Sequence, residues 1–299
     1  MMQPLEGSFV ALVTPMESDG SLDFQALEAL IEWHIESGTN GLVSVGTTGE
    51  SATVSVSEHI EIIKKTISFA KGRIPVIAGT GANSTQEAID LTQSAASIGA
   101  DYALIVTPYY NKPNQEGLLK HFTKIADAVD IPQILYNVPS RTASDLKPDT
   151  VIKLSNHPNI IGIKEALDDS KRLAELLSIS QNISDKKSFS VFSGDDPTFN
   201  SFMANGGNGV ISVAANIIPQ HIANICSLNL GKQFNDAEKL DSNFKSLYKL
   251  LFIESNPIPV KWVLHKMGKI NSGIRLPLVS FNNTYHEQTL EEMIKLKLI

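Results

Sequence analysis

The sequence holds one cysteine, Cys226, among 299 residues. A single thiol closes no internal disulfide, which fits a reducing compartment. No apolar run approaches the roughly 20 residues that cross a bilayer. The N-terminal stretch Met1-Met2-Gln3-Pro4-Leu5-Glu6-Gly7 lacks the basic-then-apolar order of a signal peptide. Basic runs are missing as well. Lys and Arg number 25 against 32 Asp and Glu, a formal net charge of −7, and no cluster is present to grip a phosphate backbone, so nucleic acid is not an expected partner. The chain reads as a soluble cytoplasmic protein. Its 42% hydrophobic and 19% charged residues allow a sizeable core, in one large domain or two ordinary ones.

What is present is a recurring apolar run. The runs are Phe9–Val13, Gly41–Val45, Pro75–Ala78, Tyr102–Val106, Gln133–Tyr136, Ile160–Ile163, Ser190–Phe192 and Gly209–Val213. They are continuous rather than alternating, as parallel strands covered on both faces should be. Their spacing of roughly 20 to 35 residues is that of a strand–helix unit. Between them lie helical segments. Leu27, Leu30, Ile31 and Ile35 share one face of Asp23–Ser37, and Gly38 sits where a C-terminal cap belongs. Ser55-Val56-Ser57-Glu58 and Ser84-Thr85-Gln86-Glu87 read as capping boxes. Eight strand–helix units predict a closed (β/α)8 (TIM) barrel. A doubly wound open sheet usually has fewer strands and often a glycine-rich turn after the first; here that strand ends in Thr14-Pro15. Residues 1–225 are read as the catalytic barrel. Residues 226–299 are read as a C-terminal helical domain, helical over Lys232–Ile253 and Pro259–Met267.

In such a barrel the active face is formed by the strand C-termini. Lys164 follows Ile160-Ile161-Gly162-Ile163, so its stem emerges from an apolar strand. Burial disfavours an ammonium and turns lysine into a nucleophile toward carbonyls; the bland alternative is an ion pair with Glu165. Tyr136, ending the adjacent strand, is either a proton relay or a packed aromatic. Thr47 and Thr48 lie in a Gly-flanked loop where hydroxyls bind a carboxylate or simply cap the next helix. Tyr109 and Tyr110 suit a subunit contact. Arg141 is a fork-shaped donor for a carboxylate, or a solvated loop residue. Asp195 and Asp196 precede Pro197 and read as a helix N-terminus. The seven histidines fall in predicted helices or their connections, so no histidine cluster for a metal is visible on the active face.

These strand ends resemble the 4-hydroxy-tetrahydrodipicolinate synthase (dihydrodipicolinate synthase) family, of the pyruvate-dependent class I aldolase and N-acetylneuraminate lyase superfamily. The resemblance runs over nearly the whole chain. It rests on Val43-Ser44-Val45-Gly46-Thr47-Thr48-Gly49-Glu50-Ser51, Pro75-Val76-Ile77-Ala78-Gly79-Thr80-Gly81, Thr107-Pro108-Tyr109-Tyr110, Tyr136-Asn137-Val138-Pro139-Ser140-Arg141-Thr142, Ile161-Gly162-Ile163-Lys164-Glu165 and Asn256-Pro257-Ile258-Pro259-Val260-Lys261. It implies that Lys164 is the Schiff-base lysine and that Tyr136 assists imine formation. Thr47 then links Tyr136 to Tyr110, which reaches in from a neighbouring subunit of a homotetramer. It also implies that Thr48 holds the pyruvate carboxylate and Arg141 that of the second substrate, with Gly194 and Ile211 lining the site through backbone groups. The implied reaction joins pyruvate to L-aspartate 4-semialdehyde with no metal or organic cofactor. An allosteric L-lysine site is implied at Ser51, Ala52, His59, Asn83, Glu87 and Tyr109, with Val56 where a second histidine can occur. Two alternatives stay open at this stage: a lyase for N-acetylneuraminate or a 2-keto-3-deoxy sugar acid, and a catalytically silent barrel that binds a keto acid.

Overall fold

The computed structural model describes residues 4–182 and 188–299; the first three residues of the N-terminal stretch lie outside the described residues. Eight parallel strands close into a ring: β1 (Gly7–Ala11), β2 (Gly41–Ser44), β3 (Val76–Gly79), β4 (Tyr102–Val106), β5 (Gln133–Asn137), β6 (Ile160–Glu165), β7 (Ser190–Ser193) and β8 (Gly209–Ser212). β8 pairs back onto β1, so this is a closed TIM barrel and not an open sheet. Each apolar run became a strand, with ends displaced by at most two residues.

The helices of the outer ring are α1 (Phe24–Glu36), α2 (Val56–Ala70), α3 (Thr85–Ser97), α4 (Gln115–Ala128), the single turn α5 (Pro139–Thr142), α6 (Pro148–Leu154), α7 (Ser170–Asn182), α8 (Phe199–Ala204) and α9 (Pro219–Leu230). Their ends follow the expected chemistry. Asp23 caps α1 by accepting from the Ala26 N–H, and Gly38 follows at φ +81°. Ser55 and Glu58 form the full reciprocal box on α2. On α3 only half of the expected box is found: Ser84 accepts from the Glu87 N–H, and among the described residues no return bond from the Glu87 carboxylate is found.

Helix α9 packs on β1 and crosses residue 225, where the C-terminal domain was expected to begin. Beyond it come α10 (Phe234–Asp241), α11 (Lys245–Leu250), α12 (Ile258–Lys266) and α13 (His286–Lys295). Helix α13, unread in the sequence, buries Met293 and packs on α11.

The barrel has two apolar layers. Phe9, Ala11, Val43, Ile77, Leu104, Ile134, Tyr136, Ile161, Phe192 and Ile211 fill the interior. Intervening strand residues such as Val10, Leu42, Leu135 and Val191 face the helices. This is the period-two alternation of a strand. It breaks once, on β6. There Ile160 faces the helices, Ile161 the interior, and Ile163 the helices again. The register explains it: Gln133 pairs with Ile160 but its neighbour Ile134 pairs with Gly162, so β6 carries one extra residue. A one-residue bulge exchanges the two faces of everything beyond it. Lys164, opposite Tyr136 on β5 and Phe192 on β7, therefore points into the barrel, and Glu165 points out. Gly162 permits the bulge, because a Cβ there would lie 2.5 Å from the Ser190 carbonyl oxygen.

Gly162→Ala should therefore cost about 1–3 kcal/mol, as overpacking does, and lower the melting temperature by several degrees. Thermal denaturation followed by circular dichroism checks this; an unchanged melting point would mean that the bulge tolerates a side chain.

Candidate active site

Lys164 is 5% exposed inside the mouth of the barrel. Its Nζ stands 4.3 Å from the centre of the Tyr136 ring. The expected alternative, an ion pair with Glu165, does not form. Glu165 faces the helix layer, where its carboxylate accepts from Arg172 Nε at 2.6 Å and Asn137 Nδ2 at 3.0 Å. Arg172 continues to Asp145 at 2.8 Å, so this network ties the ends of β5 and β6 together from behind. No ion pair to Lys164 is found among the described residues. Burial pushes its ammonium down to about 8, with the Asp196 carboxylate opposing and Arg141 assisting. Gly194 makes room for the lysine stem: a Cβ there would sit 2.9 Å from Lys164 Cε and 3.2 Å from Cγ.

Tyr136 is buried, and burial pushes its phenol up to about 12; a hydrogen bond with the Thr47 hydroxyl acts in the opposite sense. The phenol thus keeps its proton at neutral pH and can donate it. Thr48, 2% exposed, accepts at its Oγ1 from Asn256 Nδ2 at 3.0 Å. Arg141 stands exposed on α5 at the rim.

The two aspartates, Asp195 and Asp196, do not act together at a helix start. Only Asp195 serves a helix start, accepting from the Thr198 hydroxyl at 2.6 Å before α8. Asp196 is buried, and its Oδ2 accepts from the N–H groups of Val213 and Ala214 at 3.0 and 2.8 Å. It laces the end of β7 to the end of β8. Burial pushes its carboxyl up to about 6.

A cavity of about 170 Å³ opens over these strand ends, lined by Thr47, Thr48, Tyr136, Arg141, Lys164 and Gly194. Six of the eight expected catalytic and binding residues thus share one cavity. Ile211 is packed in the barrel interior next to it, and its side chain does not line it. Tyr110 is 88% exposed at φ +73° and lines neither this cavity nor the next. Sequence reading missed Asn256, which lies 208 positions from Thr48. Its one signal was membership of the Asn256–Lys261 motif.

A larger cavity of about 370 Å³ adjoins the first, and Thr47, Val138, Arg141 and Asn256 line both. Ser51, Ala52, His59, Glu87 and Tyr109 line it, as does Val56. Asn83 does not, although its backbone hydrogen bonds with the Tyr109 phenol. His59 Nε2 is 2.7 Å from the Gly79 carbonyl oxygen and so carries the ring proton, leaving Nδ1 as an acceptor. Burial holds His59 below the ordinary histidine range, so it is neutral at pH 7. The floor between the cavities is braced by the C-terminal segments. The buried Lys261 ammonium pairs with Glu50, and Arg275 clamps Glu58 at 2.7 and 2.8 Å while its N–H reaches Glu50. Among the described residues no three His, Cys, Asp or Glu side chains gather as a metal site.

Comparison with known proteins agrees with this architecture. The dihydrodipicolinate synthetase family profile matches residues 4–297. A 4-hydroxy-tetrahydrodipicolinate synthase from Stutzerimonas stutzeri is 53% identical over 290 residues, 97% of each chain. The crystal structure of a chloride-inhibited dihydrodipicolinate synthase from Acinetobacter baumannii, complexed with pyruvate, superimposes with a TM-score of 0.95 at 50% identity. It covers 99% of this chain and 100% of that one. A dihydrodipicolinate synthase from Cyanidioschyzon merolae with lysine bound gives 0.93 at 35% identity, over 99% and 100% of the chains. With a buried, unpaired lysine at the mouth of a closed barrel and a family profile matched almost end to end, this chain belongs to the dihydrodipicolinate synthetase family.

Proposed function

We propose that the chain is a lyase of the 4-hydroxy-tetrahydrodipicolinate synthase type, joining pyruvate to L-aspartate 4-semialdehyde on Lys164. The product is (2S,4S)-4-hydroxy-2,3,4,5-tetrahydrodipicolinate, which begins the route to diaminopimelate and lysine. The observation that carries this reading is the amine of Lys164, buried without a counter-ion beside the Tyr136 phenol. A value of about 8 leaves roughly a tenth of the lysine as free amine at pH 7, far more than an ordinary lysine offers.

The free amine attacks the ketone carbon of pyruvate, and the resulting carbinolamine loses water to form an imine. Tyr136, still protonated, donates to the departing hydroxyl and is reprotonated through Thr47. The protonated imine draws electrons from the methyl group, whose proton leaves through the same Tyr136–Thr47 relay, run in the reverse direction, to give the enamine. That carbon attacks the aldehyde of the second substrate. The substrate amine then adds to the imine carbon, closes the ring and expels Lys164. Covalent attachment divides one difficult carbanion step into easier ones. Thr48 holds the pyruvate carboxylate, and Arg141 at the rim orients the carboxylate of the aldehyde. Gly194 completes the wall, and Ile211 packs in the barrel interior beside it.

Tyr110 enters the relay across a subunit contact of a homotetramer, a dimer of dimers. An exposed tyrosine in the left-handed region suits a position that a partner covers. The larger cavity is the L-lysine regulatory site. Glu87 receives the ligand ammonium there, and neutral His59, Ser51, Ala52, Asn83 and Tyr109 frame the rest. Residues 226–299 form a helical unit that braces both cavities, and the working compartment is the cytoplasm.

Borohydride reduction with pyruvate should leave a pyruvate-sized adduct on Lys164 by mass spectrometry and none on Lys164→Ala; no adduct on the folded protein would remove the reading. Because only the neutral amine attacks, kcat/KM for pyruvate should fall about tenfold per unit below a pH of about 8 and level off above it. A flat profile between pH 6 and 8 would contradict the lowered lysine. Millimolar L-lysine should inhibit, and Glu87→Gln should raise the half-inhibiting concentration at least about tenfold; insensitivity of the parent protein would sink the regulatory site. Sedimentation should give a tetramer, and a fully active monomer would exclude Tyr110 from the relay.

A further inference from the structure

We infer that Asn256, delivered from the C-terminal segment, is a positioning residue that sets the hydrogen-bond polarity of Thr48. The inference rests on the reading of Thr48 as the holder of the pyruvate carboxylate, and goes one step beyond it. A threonine hydroxyl has one proton to give and two lone pairs to receive with. Left alone, it turns either way. Thr48 is 2% exposed and lines the smaller cavity. Asn256 is 6% exposed, lines the same cavity, and donates from Nδ2 to Thr48 Oγ1 at 3.0 Å. An amide N–H only donates, so Thr48 must accept on that side. No protein acceptor for the Thr48 proton is found among the described residues. That proton is therefore available to an anion in the cavity, as a carboxylate requires.

The surroundings show that this contact is held. Asn256 directly precedes Pro257 and α12, and α12 carries Lys261, whose buried ammonium pairs with Glu50 in the same loop as Thr48. The Arg275 N–H donates to the same Glu50 carboxylate. Two anchors thus hold the Thr48 loop against the C-terminal segment, one of them a residue of the helix that follows Asn256. The Asn256 Oδ1 is buried without a partner. Such a group is disfavoured in a purely structural core, and a hydrocarbon of the same size would pack there at lower cost. The amide is explained by what its N–H does to Thr48.

The test is a double-mutant cycle on the full-length protein: Thr48→Val, Asn256→Leu and the pair. Leucine fills nearly the same volume without the N–H. Two quantities are read, the pyruvate concentration giving half-maximal borohydride trapping, and the split between KM for pyruvate and kcat. Thr48→Val should raise the trapping midpoint about ten- to hundredfold, the worth of a hydrogen bond to a charged group. Asn256→Leu should raise it within the same range, with kcat changed much less. The double variant should match Thr48→Val alone, because one residue acts through the other. Asn256→Ser, which removes the amide with less bulk, repeats the measurement if leucine prevents folding, with melting temperature as the check. A raised midpoint in Thr48→Val beside an unchanged one in both Asn256 variants overturns the inference and leaves the carboxylate site standing. Multiplying effects in the double variant also overturn it. An unchanged midpoint in Thr48→Val removes the carboxylate site itself, and this inference with it.

Discussion

Lys164 reaches the interior of the barrel because β6 carries one more residue than β5 over the same stretch. Without that bulge the alternation begun at Ile161 would continue through Ile163 to Glu165, and the carboxylate would face the cavity. With it, the two charged residues at the strand end are sorted to opposite sides. Glu165 finds Arg172 and Asn137 in the helix layer, and Lys164 is left in the cavity without an ion pair, with Tyr136 beside it. The rest of the site depends on this sorting. An amine paired with a neighbouring carboxylate would stay protonated; an amine buried without one gives up its proton more readily.

The same division of labour recurs around the cavity. Charged pairs that brace the site stand behind it or beneath it: Arg172 with Glu165 and Asp145, Lys261 with Glu50, Arg275 with Glu58. The polar groups facing the smaller cavity are hydroxyls, the Asn256 amide and the lysine, with Arg141 and Asp195 as the other charged groups of its lining. Asp196 acts from outside that lining, buried and fastened to the N–H groups of β8's end while its charge opposes the lowering of Lys164. Burial of Lys164 and Asp196 strengthens such an effect, because charges out of solvent are less screened. The two cavities share Thr47, Val138, Arg141 and Asn256 as a common wall. A wall with a cavity on each side is an element through which occupancy of one cavity can act on the other.

Much of this was legible in the sequence. Eight continuous apolar runs at strand–helix spacing lead to a closed barrel, since parallel strands buried on both faces have few other homes. The strand ends then nominated Lys164, Tyr136, Thr47, Thr48 and Arg141, because active groups in this fold sit on that face. Two readings did not hold. Glu87 completes no reciprocal cap and instead lines the larger cavity, and Asp196 serves β8 rather than a helix start. For Asp196 a local pattern competed with a tertiary contact, and the tertiary contact won.

The sequence by itself determined the architecture and the chemistry available at the strand ends, because burial patterns and residue types are local properties. Which of Lys164 and Glu165 faces the cavity was decided only by tertiary structure. Ile160-Ile161-Gly162-Ile163 is apolar throughout, so it contains no alternation from which a phase can be read, and the bulge appears only when β6 is paired with β5. The contact between Asn256 and Thr48 is of the same kind. It joins residues 208 positions apart, and no local propensity connects them; only the return of the C-terminal segment over the barrel mouth brings the amide to the hydroxyl.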